Sequence, residues 1–243
     1  MSSLGSKRAG TQILTGTVAR GAIEDMAATV RQFFSLDAVQ LEPGDYRCQI
    51  DFVATGSTFL YRENYPRRTH LRGELLGDRF GVAIPLAGPA VRFAGEEMNS
   101  ACIASAMTGE EMDLFVEAGV RQAVVLVDRE MLHRRAEASG LPAHVLRALD
   151  CRRRRMPLDT RAEAVGKFRR SLVGLLNAAA QGDLRLEAAQ FEEFVMNSIL
   201  SAVDVSEAPV GLPPACILVR RATEMESLSE SLCVGQNLKE KEH

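Results

Sequence analysis

Apolar and polar positions alternate in short runs along the first half of the chain and recur at helical spacing along the second, with the change near residue 128. Tyr46, Cys48, Ile50, Phe52 and Ala54 fall on one side of an extended segment, with Arg47, Gln49 and Asp51 on the other. That period of two is what a half-buried strand requires. Similar runs at 57–64, 69–75, 79–85, 99–107, 112–117 and 121–127 predict further strands, punctuated by turn-forming clusters at 42–44, 55–57, 76–78 and 108–110. Strands this short and evenly spaced predict a sandwich or small barrel. One helix interrupts them between Gly21 and Ser35, where Ala22, Ile23, Met26, Ala27, Val30 and Phe33 recur at helical spacing. It is expected to pack on the outside of the barrel.

Past residue 128 the pattern predicts helices at 131–139, 143–149 and 160–181. The longest carries Val165, Phe168, Leu172, Leu175 and Leu176 on one stripe, with Arg161, Lys167, Arg169 and Arg170 largely opposite. Gly182-Asp183 stops it, and a further helix at 186–203 with Phe191, Phe194, Val195, Ile199 and Leu200 completes an antiparallel hairpin. Prolines 209, 213 and 214 forbid helix continuation and mark a linker, after which a new helix opens at Ala215. The expected organisation is a disordered tail at 1–10, a β-barrel at 11–128, a helical region at 129–205, a linker at 206–214 and a final segment at 215–243.

Composition narrows the function classes. The chain has 243 residues, 46% hydrophobic and 25% charged, with a net charge of −3, so no global basic field draws it to phosphate backbones. Five scattered cysteines (Cys48, Cys102, Cys151, Cys216 and Cys233) include no C-x-x-C pair, which argues against a disulfide framework or zinc knuckle and for a reducing compartment. The opening residues lack a secretory signal and no long apolar run is present, so a cytoplasmic location without membrane contact is expected.

Small barrels include metalloenzymes that hold their ion with a His-x-His pair, a carboxylate and a later histidine. The four histidines, His70, His133, His144 and His243, contain no such pair, and no metal or other cofactor is expected. No Gly-x-Ser-x-Gly elbow or phosphate-cradling glycine loop occurs, and Cys48 and Cys102 read as small buried apolar residues rather than nucleophiles. The chain is not expected to be an enzyme. A small-molecule pocket fits a small barrel better. Tyr61, Arg62, His70 and Arg72 cluster in two adjacent predicted strands and are the candidate ligand contacts, arginine suiting a carboxylate or phosphate. The alternative puts Arg62 and Arg72 on a solvated outer face and gives His70 an ordinary hydrogen bond, since alternation does not say which face points inward. The run Arg152-Arg-Arg-Arg155 reads as a solvated loop ahead of a phosphate contact.

The final segment carries a family resemblance. Leu218-Val-Arg-Arg-Ala-Thr-Glu224 followed by Met225, then Ser229-Glu-Ser and Leu232-Cys-Val234, resembles the opening of the DNA-binding domain of AraC-type transcription regulators. Upstream, Leu41-Glu-Pro-Gly-Asp-Tyr46 and Leu60-Tyr-Arg-Glu-Asn64 are similar to the start of the sensor barrel in the branch that includes ethanolamine-utilisation regulators. The resemblance implies an α+β fold: an N-terminal cupin-like antiparallel β-barrel, an α-helical hairpin used for dimerisation, and a helix-turn-helix domain. It implies a small-molecule effector, a homodimer formed through Leu172, Leu175, Leu176, Phe191 and Phe194, and DNA contacts from Arg220 and Arg221.

A complete DNA-binding domain of this family has two helix-turn-helix units, whereas 29 residues follow the linker, with Arg220, Arg221, Lys239 and Lys241 set against five glutamates. The expectation is therefore an effector-sensing and dimerisation part whose DNA-binding domain is truncated, with promoter DNA a partner only of a full-length form. The alternatives are a stand-alone cupin enzyme (isomerase or lyase), a cupin small-molecule-binding protein, and a purely structural dimeric barrel.

Overall fold

Two antiparallel sheets face one another, because strands with one apolar row each bury it only by pairing face to face. In chain order the elements are β1 (Leu14–Arg20), α1 (Ile23–Val30), β2 (Phe34–Gln40), β3 (Cys48–Ala54), β4 (Thr58–Tyr65), β5 (Thr69–Leu75), β6 (Arg79–Ala87), β7 (Val91–Phe93), β8 (Glu96–Met98), β9 (Ala104–Met107), β10 (Glu111–Val116), β11 (Val120–Asp128), α2 (Arg129–Ala138), α3 (Ala162–Ala180) and α4 (Ala188–Ala202). The larger sheet has the order β1-β3-β4-β11-β6-β9 and the smaller β2-β5-β10-β7-β8. This computed structural model describes residues 12–98, 103–141 and 162–202, with side chains from 165 onward in the last stretch. The chain divides into Met1–Glu207 and Ala208–His243, and every described residue lies in the first unit. The expected tail, the helix at 143–149, the run Arg152–Arg155, the linker, the segment 215–243 and its Arg220 and Arg221 lie outside the described residues.

The central strands of the six-stranded sheet are buried on both faces, as β11 shows. In β11, Val120, Gln122, Val124 and Leu126 turn toward the smaller sheet, while Ala123, Val125 and Val127 turn the other way, onto the helices. The helical layer joins those residues to Leu132 and Ala136 of α2, Val165, Phe168, Leu172 and Leu176 of α3, and Phe191, Val195 and Ile199 of α4. Asp128 ends β11 and starts α2, its carboxylate accepting from the Met131 amide at 2.8 Å as a helix N-cap does. Polar ties add orientation: Arg135 of α2 donates to Asn197 at 2.8 Å and pairs with Glu193 at 2.5 Å, both on α4.

Three features differ from expectation. Strands β1, β2, β7 and β8 lie outside the expected runs, β1 and β2 because both are sheet edges with much of their length exposed, β7 and β8 because three residues are too short to show a period of two. The 99–107 run is strand only from Ala104 onward among the described residues. Helix α1 does not pack outside the barrel. It joins the edge strand of one sheet to the edge strand of the other, and Ile23, Met26 and Val30 pack into the core between them. Closing the gap between two sheet edges buries an apolar helix face that the outer surface would leave wet.

One glycine is required by close approach. Gly73 of β5 pairs with Leu36 on one side and Met112 on the other, and a Cβ there would sit 1.8 Å from the Ser35 carbonyl oxygen.

Candidate functional site

The inward row of β4 is Phe59, Tyr61, Glu63 and Tyr65, which places a carboxylate in an otherwise aromatic series. The register sets Glu63 opposite Gln122 and Tyr61 opposite Val124 on β11. Glu63 is 3% exposed, and its Oε1 accepts from the Tyr65 hydroxyl at 2.6 Å and from Gln122 Nε2 at 2.7 Å. Gln122 Nε2 also lies 3.1 Å from the Tyr65 oxygen. Because the Gln122 amine must face the carboxylate, its carbonyl oxygen Oε1 turns elsewhere, and it is buried without a hydrogen-bond partner.

These groups border a cavity of about 70 Å³ between the sheets, walled mostly by aliphatic, methionine and aromatic side chains, among them Met26, Phe34, Leu71, Met98 and Leu126. That volume admits about two waters, at about 30 Å³ each. Burial raises the Glu63 pKa above the ordinary carboxylate value, with the Tyr65 and Gln122 hydrogen bonds pulling the other way. The Tyr61 and Tyr65 hydroxyls are pushed well above the usual phenol range, first by burial and then by the Glu63 charge. Among the described residues, the cavity lining contains Glu63 and no arginine, lysine or histidine. Arg20, Arg47, Arg62 and Arg121 instead line a separate, open depression that Glu63 also borders.

The four candidate contacts do not share one site. Tyr61 lines the cavity. Arg62, its neighbour, faces the opposite side of β4, where it pairs with Asp51 at 2.7 Å and donates to Asn177 of α3 at 3.0 Å. Asp51 also accepts from Thr17 at 2.8 Å and Gln49 at 2.7 Å. Although burial pushes the Asp51 pKa up, the hydrogen bonds from Gln49, Arg62 and Thr17 outweigh it and leave the value lowered.

His70 and Arg72 sit on the outer face of the smaller sheet. The His70 ring lies 2.7 Å from Asp113 and stacks on Phe115 at 4.0 Å, and Arg72 pairs with Glu111. The inward residues of β5 are Leu71 and Leu75, so the odd positions own the cavity and the even ones the solvent. Glu63, Tyr65 and Gln122 escaped the sequence reading. Their signal was a carboxylate in phase with Phe59, Tyr61 and Tyr65, since a polar group on an apolar face is the informative exception.

The proposed dimer stripe is also redistributed. Leu172, Leu175, Leu176 and Phe191 are spent on the chain's own core, and of the five only Phe194 stays at the surface, 41% exposed. The buried thiol of Cys48 has its pKa pushed up to about 11, chiefly by desolvation. Among the described residues no group of three or more His, Cys, Asp or Glu side chains is placed to hold a metal ion, and no helix is long and apolar enough to cross a membrane.

The AraC-binding-like domain model matches residues 26–201, from α1 through the barrel and the helical layer to the end of α4. The chain belongs to the AraC-binding-like domain family. Among solved structures, the barrel-and-helix arrangement is similar to the crystal structure of the AraC-like transcriptional activator CuxR, with a TM-score of 0.55 and 8% identity over 78% of this chain and 70% of that one. At that identity the likeness is one of fold. No curated protein matches the AraC-binding-like chain in sequence.

Proposed function

We propose that this AraC-binding-like chain is the effector-sensing part of an AraC-type transcription regulator, a non-catalytic module that takes a small molecule between its sheets. The observation that carries this reading is the cavity itself. It is apolar, lies at the centre of the barrel, and holds a few buried polar groups at one place, which is how small-molecule sites are built. Strands β4 and β11 each present one row of side chains to the cavity and the other to the helices. A ligand that shifts the inner row moves the sheet on which α3 and α4 rest. Helix α4 then offers the dimer contact through its outer side, where Gln190, Phe194 and Ser201 are exposed at helical spacing.

The test is a thermal-shift screen of small metabolites against the chain and against Ala83→Phe, which fills the cavity from β6. Hits that stabilise the parent and lose their effect in the variant support the reading. Hits that stabilise both equally place the site elsewhere and overturn it.

A further inference from the structure

From the cavity's charge pattern we infer that the barrel selects a small organic cation, a protonated amine with a short apolar body; this rests on the sensor reading above. The expectation from sequence was the reverse, an anion held by Arg62, His70 and Arg72. Those three side chains point away from the cavity, and among the described residues that line it Glu63 is the one carboxylic acid, with no arginine, lysine or histidine in the same lining.

Three observations converge. First, the Glu63 carboxylate is buried with neutral partners only, the Tyr65 hydroxyl and the Gln122 amide. A buried carboxylate satisfied by neutral donors meets no counter-charge on the cavity side, the arginines lining the open depression across the strand, and supplying one is favourable where water does not compete. Second, Gln122 Oε1 is a buried acceptor without a donor. With Glu63 ionised it cannot exchange places with Nε2, because that would set an acceptor against the Glu63 oxygen, so whatever completes the site must bring an N–H or O–H. Third, Tyr61, Tyr65, Phe34 and Phe93 stand in the same lining, and aromatic faces attract cations that have shed their water.

An alkylammonium meets all three. Its charge answers Glu63, its several N–H donors serve Glu63 and Gln122 Oε1, and its chain lies against Met26, Leu71 and Met98. The volume of about 70 Å³ limits that chain to a few carbons. Burial also raises the Glu63 pKa, so amine affinity should strengthen as pH rises and the carboxylate ionises.

The experiment is calorimetric titration with ethylamine, propylamine and butylamine, each beside its alcohol and carboxylate counterparts, at pH 7. At least one amine is expected to bind, its carboxylate counterpart not to, and Glu63→Gln to weaken the amine about tenfold to a hundredfold, the size of a lost charged hydrogen bond. Glu63→Gln preserves shape, and circular dichroism checks that it folds. Failure of every amine, or amine binding indifferent to Glu63→Gln, overturns the inference. Binding of a carboxylate or alcohol that Ala83→Phe abolishes overturns the cation assignment while leaving the barrel as the sensor site.

Discussion

Replacing Leu172 by alanine separates two roles that the sequence could not tell apart. Leu172 lies in α3 with no exposed surface, packed in the layer between the helices and the six-stranded sheet. Truncating a leucine there removes its transfer free energy and leaves a cavity that rigid neighbours fill only partly, a cost of about 2–5 kcal/mol. For a chain of this size each kcal/mol moves the melting temperature by about 2–4 °C, so a mid-range loss of about 3.5 kcal/mol lowers it by roughly 7–14 °C. The paired variant is Phe194→Ala. This ring is 41% exposed on α4, and its loss should cost under about 1.5 kcal/mol in the isolated chain.

Urea denaturation at several protein concentrations, with sedimentation velocity beside it, reads both roles. Leu172→Ala should lower the unfolding midpoint at every concentration without changing the sedimentation of the folded species. Phe194→Ala should leave the dilute midpoint nearly unchanged while weakening self-association. A Leu172→Ala chain with the parent's midpoint but a smaller sedimenting species would refute the assignment of this stripe to the core.

Three further outcomes follow from the same structure. Glu63 has a raised pKa in the folded state, so its contribution to stability is full below its ordinary value near 4.5 and is lost as pH rises through the raised value. Glu63→Gln should remove that decline, and an unchanged slope of unfolding free energy against pH, between about 4.5 and 8, would show that the carboxylate is not buried as described. Gly73→Ala drives a methyl into the Ser35 carbonyl, so β2 and β5 must separate, at a cost of about 1–3 kcal/mol or more. Amide exchange should quicken at Ser35–Ala38 beyond its rate elsewhere, and uniform protection would count against the register. Cys48, buried and with its pKa near 11, should resist iodoacetamide at pH 8 until urea unfolds the chain, as peptide mass spectrometry would show.

Much of the architecture was legible because periodicity is local. The alternation from Tyr46 to Ala54 marks β3, the run at 69–75 coincides with β5, and the change of period at 128 falls where Asp128 caps α2. The stripe through Phe168, Leu172 and Leu176 identifies α3 as amphipathic. Alternation divides a strand into two faces, however, without saying what covers each, and here both faces of the larger sheet's central strands are covered. Only the stacking of the sheets decides that Tyr61 and Glu63 look into the barrel while Arg62 looks toward Asn177, and that His70 and Arg72 look into solvent.

The same limit applies to the helices: one apolar stripe serves equally for a dimer seam or for a sheet, and the nearby sheet claims it. Gln122 joins Glu63 because the β4–β11 register aligns them from 59 positions apart. The sequence by itself determined the longer central strands and the helices and which of their rows are apolar, while the exposed or very short strands β1, β2, β7 and β8 left no such pattern. The tertiary structure decided which rows meet, and through that the charge of the cavity, because burial and hydrogen bonding depend on neighbours distant along the chain.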